Sequence, residues 1–221
     1  MASEKLDQRY GRHAILIEAE KLFADFGLHG VSLRQISEAA GQKNASAIQY
    51  HFGSRDGLVE AVFAHRMSVI NPRRHAALDE VVSSGRTGDI RALVGVMVWP
   101  MAEELRPRAE GNHYLQFLSR AAREKMLAVE LAPPELLTAW VSTIEHLKKA
   151  LRYLPGPVAL NRILLASEQC ISSLAILEAE GVSQSRDLIF KVETLIDMIA
   201  AGLSAPVSDR TLKAMEPARS T

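Results

Sequence analysis

Apolar residues recur at helical spacing along most of the chain, and no segment alternates in the way that a half-buried strand does. The clearest case is residues 12–26, where apolar side chains fall on one helix face: Ile15, Ala19, Leu22, Phe23 and Phe26. Glycine and proline separate this helix from further segments of helical length. The pattern predicts an all-α protein of about nine helices.

The first four predicted helices follow one another closely. Ser32 is the expected N-cap of a second helix that Gly41 closes, and residues 44–51 form a short third helix with Asn44 as its N-cap. A fourth helix begins at Ser54, and Pro72 is expected to kink or interrupt it. Two short helices that are joined by a glycine turn and braced by a longer one predict a helix-turn-helix unit.

The third helix has the character of a DNA-reading element. Ile48 and Phe52 are four residues apart, so both can be buried on one face while the other faces stay polar. Residues 41–55 contain Lys43 and Arg55 and no acidic residue between them. A short helix with a polar face fits the major groove of DNA.

Residues 12–66 resemble the DNA-binding domain of the TetR family of bacterial transcriptional repressors. The matching residues are Ala19, Leu22, Phe23, Phe26, Gly27, Val31, Ser32, Ile36, Ala39, Ala40, Gly41, Ile48, Tyr50, His51, Phe52, Ser54, Arg55, Leu58 and Val62. The turn after Gly41 is one residue longer than in the family, and Gln49 stands at a position that is often aromatic. Both departures lie where the operator sequence is read, so no base preference can be transferred.

The resemblance implies a set of DNA contacts. Ser32 can bind a phosphate or act purely as a cap, and Arg34 can reach either a base or a phosphate. Gln49 has the geometry to pair with adenine, and His51 either contacts a phosphate or packs beneath the first helix. The predicted contact residues are Ser32, Arg34, Lys43, Asn44, Ala45, Ser46, Gln49, Tyr50, His51 and Arg55.

The middle helices carry bulky apolar side chains. The resemblance implies that they enclose an apolar small-molecule effector, whose binding moves the fourth helix, expected to be the only link between the two regions. The alternative is a solid core, and Arg120 and Arg123 either anchor an acidic ligand or face water. The predicted ligand-binding residues are Met97, Trp99, Met101, Tyr114, Phe117, Met126 and Trp140.

The last two long helices, residues 158–180 and 186–204, are the most apolar. A helix that is apolar around most of its girth is buried on more than one side. The resemblance implies a four-helix dimer interface, and the alternative is a core within one chain. The predicted interface residues are Leu160, Ile163, Leu164, Ile171, Leu174, Leu188, Val192, Leu195 and Ile199.

Composition excludes several other classes of protein. The formal net charge is +0, which lacks the basic excess common in strong nucleic-acid binders, although residues 41–55 are locally basic. The single cysteine, Cys170, fits packing in a core and a reducing cytoplasm. No signal peptide is visible, and the longest apolar run is shorter than the roughly 20 residues that span a bilayer. The sequence contains no catalytic motif, metal-ligand spacing or cofactor motif, so we expect neither an enzyme nor a cofactor.

The sequence therefore predicts a DNA-binding domain at residues 8–56, a ligand-binding and dimerisation domain at 57–205, and a flexible tail at 206–221. The predicted function is that of a cytoplasmic homodimeric repressor. It binds a palindromic operator in double-stranded DNA, is released by a small-molecule effector and has no membrane partner. An activator of the same fold and a helical interaction module without specific DNA binding remain alternatives.

Overall fold

The helical periodicity is realised in a computed structural model that describes residues 2–42, 46–105, 111–124, 133–182 and 186–215, with side chains from Tyr10 onward. Within these ranges the chain forms ten α-helices and no strand, which confirms the all-α prediction. The helices are α1 (Ala2–Phe26), α2 (Leu33–Ala39), α3 (Ser46–Phe52), α4 (Arg55–Ser83), α5 (Ile90–Ala102), α6 (Tyr114–Glu124), α7 (Thr138–Ala150), α8 (Gly156–Ala179), α9 (Arg186–Ser204) and α10 (Asp209–Ala214). Short 3-10 helices occupy Glu103–Leu105 and Pro134–Leu136.

The first three helices form the predicted helix-turn-helix unit. Ser32 caps α2, because its hydroxyl accepts a hydrogen bond from Gln35 N at 3.2 Å and Gln35 Oε1 accepts one from Ser32 N at 2.8 Å. Gly41 lies between α2 and α3 with a φ of +66°, a left-handed conformation that favours glycine. Ile36 and Ile48 are fully buried in the core that these helices share with α1 and α4.

The fourth helix is continuous through Pro72, where the sequence predicts a kink or an interruption. Proline removes one backbone hydrogen bond from a helix interior. Here Ile70 and Leu78, on either side of Pro72, are buried, and α4 packs against both α5 and α7. This packing holds the helix across the missing bond, so the predicted interruption is wrong. As a result, α4 is a single helix that belongs to both regions of the chain.

The remaining helices form the larger C-terminal bundle. In it, α5 packs against α4, α7 and α9, while α8 packs against α6 and α9. The bounds of α9 are those predicted from the sequence. Across the described ranges, no helix combines the length and apolar character that crossing a bilayer requires.

The segment after α9 is more ordered than the predicted flexible tail. The guanidinium of Arg162, on α8, donates hydrogen bonds to the carbonyl oxygens of Leu203, Ala205 and Pro206. Ser208 then caps α10, a short helix with no buried residue. Apolar periodicity does not predict this helix, because local capping rather than burial defines it.

Candidate DNA-binding surface and effector cavity

A polar surface on α3 faces solvent, as predicted. Ser46, Gln49 and Tyr50 are exposed, and Tyr50 has 74% of its surface accessible. Ile48 faces the core, and Phe52 is partly buried against it. The predicted contacts Lys43, Asn44 and Ala45 lie outside the described residues. The described part of α3 therefore offers one amide and two hydroxyl groups to a partner.

At the start of α2, Ser32 and Arg34 are both exposed and both engaged within the protein. The hydroxyl and the backbone amide of Ser32 belong to the capping box with Gln35. Arg34 Nε donates to Glu38 Oε1 at 2.8 Å, and this ion pair raises the pKa of Arg34. Exposed pairs of this kind contribute little to stability. The proposed DNA contacts of Ser32 and Arg34 therefore stay predictions.

Arg55 has a different position from the one expected of a phosphate contact. Its Nη1 donates to the carbonyl oxygens of Leu28 at 2.8 Å and Val31 at 2.6 Å. The side chain thus closes the turn between α1 and α2 from the start of α4. Arg55 thus has an internal role that the sequence analysis did not predict, because the acceptors are main-chain carbonyls far away along the chain, and its phosphate contact stays a prediction.

His51 combines features of both roles that the sequence left open. Its ring lies between Tyr50, at 5.0 Å, and Phe52, at 6.0 Å, as measured between ring centroids. The Arg12 guanidinium lies 5.2 Å from the centroid of the Phe52 ring, which fixes α1 against α3. Partial burial, with a smaller effect from Arg12, lowers the pKa of His51. If His51 contacts a phosphate at neutral pH, it therefore does so with a largely neutral ring.

A cavity of about 260 Å³ lies between α4, α6, α7 and α8. Of the predicted ligand-binding residues, Met101, Tyr114 and Trp140 line it. Met97 and Phe117 are instead fully buried in the core, and Trp99 Nε1 donates to Glu193 Oε1 at 3.0 Å, so these three residues lie outside the lining of this cavity and their ligand contacts stay predictions. Met126 lies outside the described residues. The lining also contains residues outside the predicted set, among them Phe63, Met67, Arg74, Leu118, Ile144 and Cys170.

Arg74 is the unexpected member of this lining. It is 2% exposed, and its guanidinium carbon lies 5.2 Å from the centroid of the Trp140 ring. Its Nε has no hydrogen-bond partner in the part of the chain that the structure describes, and no ion pair to Arg74 occurs there. Burial lowers the pKa of Arg74 to about 10. The sequence contains one indication that Arg74 is buried. Arg74 lies four residues from both Ile70 and Leu78, within the apolar stripe of α4.

Tyr114 brings a second polar group to the same cavity. It is 1% exposed, and its hydroxyl likewise finds no hydrogen-bond partner among the described residues. Burial raises the pKa of Tyr114. The Cys170 thiol is buried as well, and burial raises its pKa to about 12, so it is not a reactive thiolate. The apolar cavity therefore contains one cation and one hydroxyl group that lack partners.

Residues 15–62 match the family model of the bacterial regulatory proteins of the tetR family. The N-terminal unit of this chain is similar to that of the TetR-family regulators. The matched segment contains the helix-turn-helix unit and the start of α4.

Several solved structures are similar to this chain over most of its length. A mutant of the protein HlyIIR has 16% sequence identity and a TM-score of 0.53, and the similarity covers 89% of this chain and 96% of that chain. A Rhodococcus protein assigned to the TetR family has 19% identity and a TM-score of 0.44, with 89% and 100% covered. A protein from Mesorhizobium loti with the same assignment has 16% identity and a TM-score of 0.40, with 88% and 96% covered. No curated protein matches the chain.

Two helices, rather than α4 alone, connect the DNA-binding unit to the bundle. Arg66 on α4 pairs with Glu20 on α1 through two hydrogen bonds of 2.6 Å, and its Nη1 lies 3.5 Å from Glu104 Oε2. Arg73, also on α4, donates to Glu104 Oε1 at 2.8 Å. Burial raises the pKa of Glu104. This buried network joins α1, α4 and the 3-10 helix beside the cavity, because Arg66 lies 6.0 Å from the Tyr114 ring centroid.

The second connection is α6. Arg120 donates to the carbonyl oxygens of Ala24 and Asp25 at the end of α1. The carboxylate of Glu124 accepts from Leu28 N at 3.1 and 3.3 Å. Arg120 is therefore not free to anchor a ligand, and the expectation that α4 is the only link is wrong. Helix α6 also supplies Tyr114 and Leu118 to the cavity.

The start of α6 is fixed by α8. The carboxylate of Glu178 accepts hydrogen bonds from Leu115 N at 3.1 Å and Gln116 N at 2.8 Å. These are unpaired donors of the first turn of α6, which a carboxylate satisfies well. Burial raises the pKa of Glu178 to about 7. The position of Tyr114 is thus set by a defined contact between α8 and α6.

The predicted dimer residues of α8 and α9 mostly point inward. Six of them are buried in the core of the single chain, so their interface contacts stay predictions: Ile163, Leu174, Leu188, Val192, Leu195 and Ile199. Leu160, Leu164 and Ile171 line the cavity, as Ile163 also does. Other large apolar side chains of these helices are exposed instead: Leu165 (61%), Ile176 (58%), Ile189 (55%), Phe190 (68%) and Met198 (59%).

In the described part of the chain, no three histidine, cysteine, aspartate or glutamate side chains are grouped so that they could hold a metal ion.

Proposed function

We propose that this chain is a homodimeric repressor that a small molecule, bound in the cavity, releases from its operator. One observation carries the proposal. The cavity is lined by α4 and α6, which are also the two helices that hold α1 and the turn after it. A ligand that changes the spacing of α4 and α6 therefore acts directly on the support of the DNA-binding unit.

The DNA-binding step uses the exposed face of α3. Gln49 is the residue best suited to read a base, because its amide can pair with N6 and N7 of adenine. Tyr50 and Ser46 lie on the same exposed surface and can contact phosphates. Arg12, Phe52 and Ile48 hold α3 on its scaffold, so the direction of the reading face follows the position of α1.

Dimerisation uses the outer faces of α8 and α9. Phe190 and Met198 are eight residues apart on α9, with Thr194 between them, so they lie along one side of that helix. Leu165 and Ile176 form an equivalent stripe on α8, with the small residues Ser172 and Ser173 between them. Exposed apolar stripes on neighbouring helices commonly form the interface between two helical proteins. A second copy of the chain covers both stripes and places two α3 helices for two half-sites.

Release follows from the geometry of the two connections. Two recognition helices must lie about 34–36 Å apart, or a multiple of that, to enter successive major grooves on one side of DNA. A ligand that binds the cavity more tightly in one spacing of α4 and α6 shifts the population toward that spacing. The Arg66–Glu20 pair and the Glu124–Leu28 contact carry the movement to α1. The DNA-binding unit can thus lose its match to the operator without unfolding.

Selection of bound DNA from a random library tests the DNA-binding step. We expect a palindromic motif whose affinity is nanomolar-class and falls as the salt concentration rises. Arg34→Ala should weaken binding to that motif, whereas Arg86→Ala, an exposed arginine after α4, is the matched control and should not. Recovery of no motif would favour an interaction module that keeps the helix-turn-helix as a scaffold. Transcription in vitro from a promoter that contains the motif then distinguishes repression from activation.

A further inference from the structure

Arg74 in the cavity has a charge that nothing in the described protein neutralises. Two buried carboxylates on neighbouring elements, Glu20 and Glu104, are already bound by Arg66 and Arg73. The Trp140 face contributes a cation–π contact, which stabilises a guanidinium but satisfies none of its N–H donors. Buried charges in proteins are normally paired or hydrogen-bonded. An unpaired guanidinium in a cavity wall is thus a strong site for an anion.

The groups around Arg74 restrict the anion further. Tyr114 adds a hydroxyl donor without a partner, while Phe63, Met67, Leu118 and Ile144 line the cavity with apolar surface. The remaining charged residues of the lining lie at the solvent side: Lys148 is 44% exposed and paired with Glu145 at 2.7 Å, and Glu168 is exposed. The interior therefore offers one place for a small acidic group and otherwise only apolar surroundings.

We infer that the cavity binds an amphipathic anion: a molecule with an apolar body and one small acidic group, such as a carboxylate, that pairs with the Arg74 guanidinium and accepts a hydrogen bond from the Tyr114 hydroxyl. This inference rests on the proposed function, because it specifies the chemical class of the proposed effector. It also changes the predicted effector from a purely apolar molecule to an apolar acid.

The size of the cavity sets the length of the apolar body. At about 30 Å³ for each water-sized group, 260 Å³ holds on the order of nine non-hydrogen atoms. Octanoate, with about ten, is a suitable probe. Its carboxylate can form the planar, paired hydrogen bonds that a guanidinium prefers, and its chain can contact the apolar wall.

The test is calorimetric titration of the full-length protein, without DNA, with octanoate, 1-octanol and octylamine. We expect octanoate to bind at least tenfold more tightly than 1-octanol, and octylamine not to bind. Arg74→Met should weaken octanoate binding by roughly 30-fold or more, since the partner of a buried charge is lost. Arg74→Lys should restore part of it. Lys148→Met, which removes a cation from the mouth of the same cavity, is the matched control and should change the affinity by less than threefold.

The possible outcomes separate this inference from the proposed function. Equal binding of octanoate and 1-octanol, no measurable binding of octanoate, or unchanged octanoate binding in folded Arg74→Met protein overturns the inference. Loss of binding in Lys148→Met alone overturns it too. If octanoate binds through Arg74 but leaves operator affinity unchanged, the anion site stands and the proposed ligand release fails. Circular dichroism of each variant shows whether a loss of binding comes from unfolding.

Discussion

Replacing Arg74 by methionine is expected to stabilise the ligand-free protein, although the residue is buried in the middle of a helix. Most substitutions of buried residues destabilise. Here the arginine brings a charge into apolar surroundings and finds no carboxylate among the described residues. Methionine is similarly long and unbranched, and it fills irregular space without a polar group. The substitution therefore removes an unfavourable charge and keeps most of the packing.

The magnitude follows from the pKa. Burial lowers the pKa of Arg74 from its ordinary value to about 10, so the folded state binds this proton more weakly than the unfolded state does. The penalty is absent above the unfolded pKa and complete below about pH 10, so it applies in full at neutral pH. At about 1.4 kcal/mol for each pH unit, it is on the order of 3 kcal/mol. Loss of the cation–π contact with Trp140 offsets roughly 1–2 kcal/mol of this.

The assay is urea denaturation at neutral pH, with wild type and variant at the same protomer concentration because the proposed dimerisation would make stability concentration-dependent. The free energy of unfolding should rise by roughly 1–2 kcal/mol with an unchanged urea dependence. Arg66→Met is the matched control on the same helix. It should destabilise by roughly 3–5 kcal/mol, because the buried Glu20 would lose its cation, while Glu104 would keep Arg73. A fall in stability of more than about 1 kcal/mol in Arg74→Met would refute the reasoning.

Three further predictions concern the other parts of the mechanism. Gln49→Ala should relax base preference at one position in each half-site, with a loss of about 1–3 kcal/mol of discrimination, and an unchanged motif in a DNA selection would exclude a base-reading role. Phe190→Asp should produce a folded monomer in light scattering because the side chain is exposed, whereas Leu195→Asp should unfold the chain because that residue is buried; a dimeric Phe190→Asp variant would place the interface elsewhere. Glu124→Ala should leave ligand binding within a few-fold and reduce the effect of ligand on operator binding, since it removes the Leu28 contact; an unchanged effect would exclude α6 as a coupling route.

The sequence predicted most of the helices, but it did not predict the contact partners of several residues. Helical periodicity and caps such as Ser32 act locally, so the N-terminal unit and the bounds of α9 could be predicted. The side of α9 proposed to form the dimer interface could not be predicted. This helix is apolar on both its buried side and its exposed side, and periodicity cannot show which side contacts a second chain. Arg55 depends on carbonyl acceptors in a distant turn, which no side-chain pattern reveals.

The residues that line the candidate cavity could not be predicted from helical periodicity either. Bulky residues of the middle helices were plausible ligand contacts, yet only the packing decides that Trp140 lines the cavity while Phe117 fills the core. The informative residue was Arg74, which is the exception to the apolar pattern of α4. An arginine within the apolar stripe of α4, beside Pro72, could have been recognised from spacing alone as a buried charge that needs a partner.

The central claim is that occupation of the cavity and binding of the operator are coupled. The most direct measurement is the affinity of the full-length protein for its selected operator, without octanoate and with octanoate at a saturating concentration. We expect octanoate to weaken operator binding by roughly 5–150-fold, and operator DNA to weaken octanoate binding by the same factor. Both effects should be lost in Arg74→Met protein. Identical operator affinities in wild-type protein, with octanoate shown by calorimetry to occupy the cavity, would contradict the account.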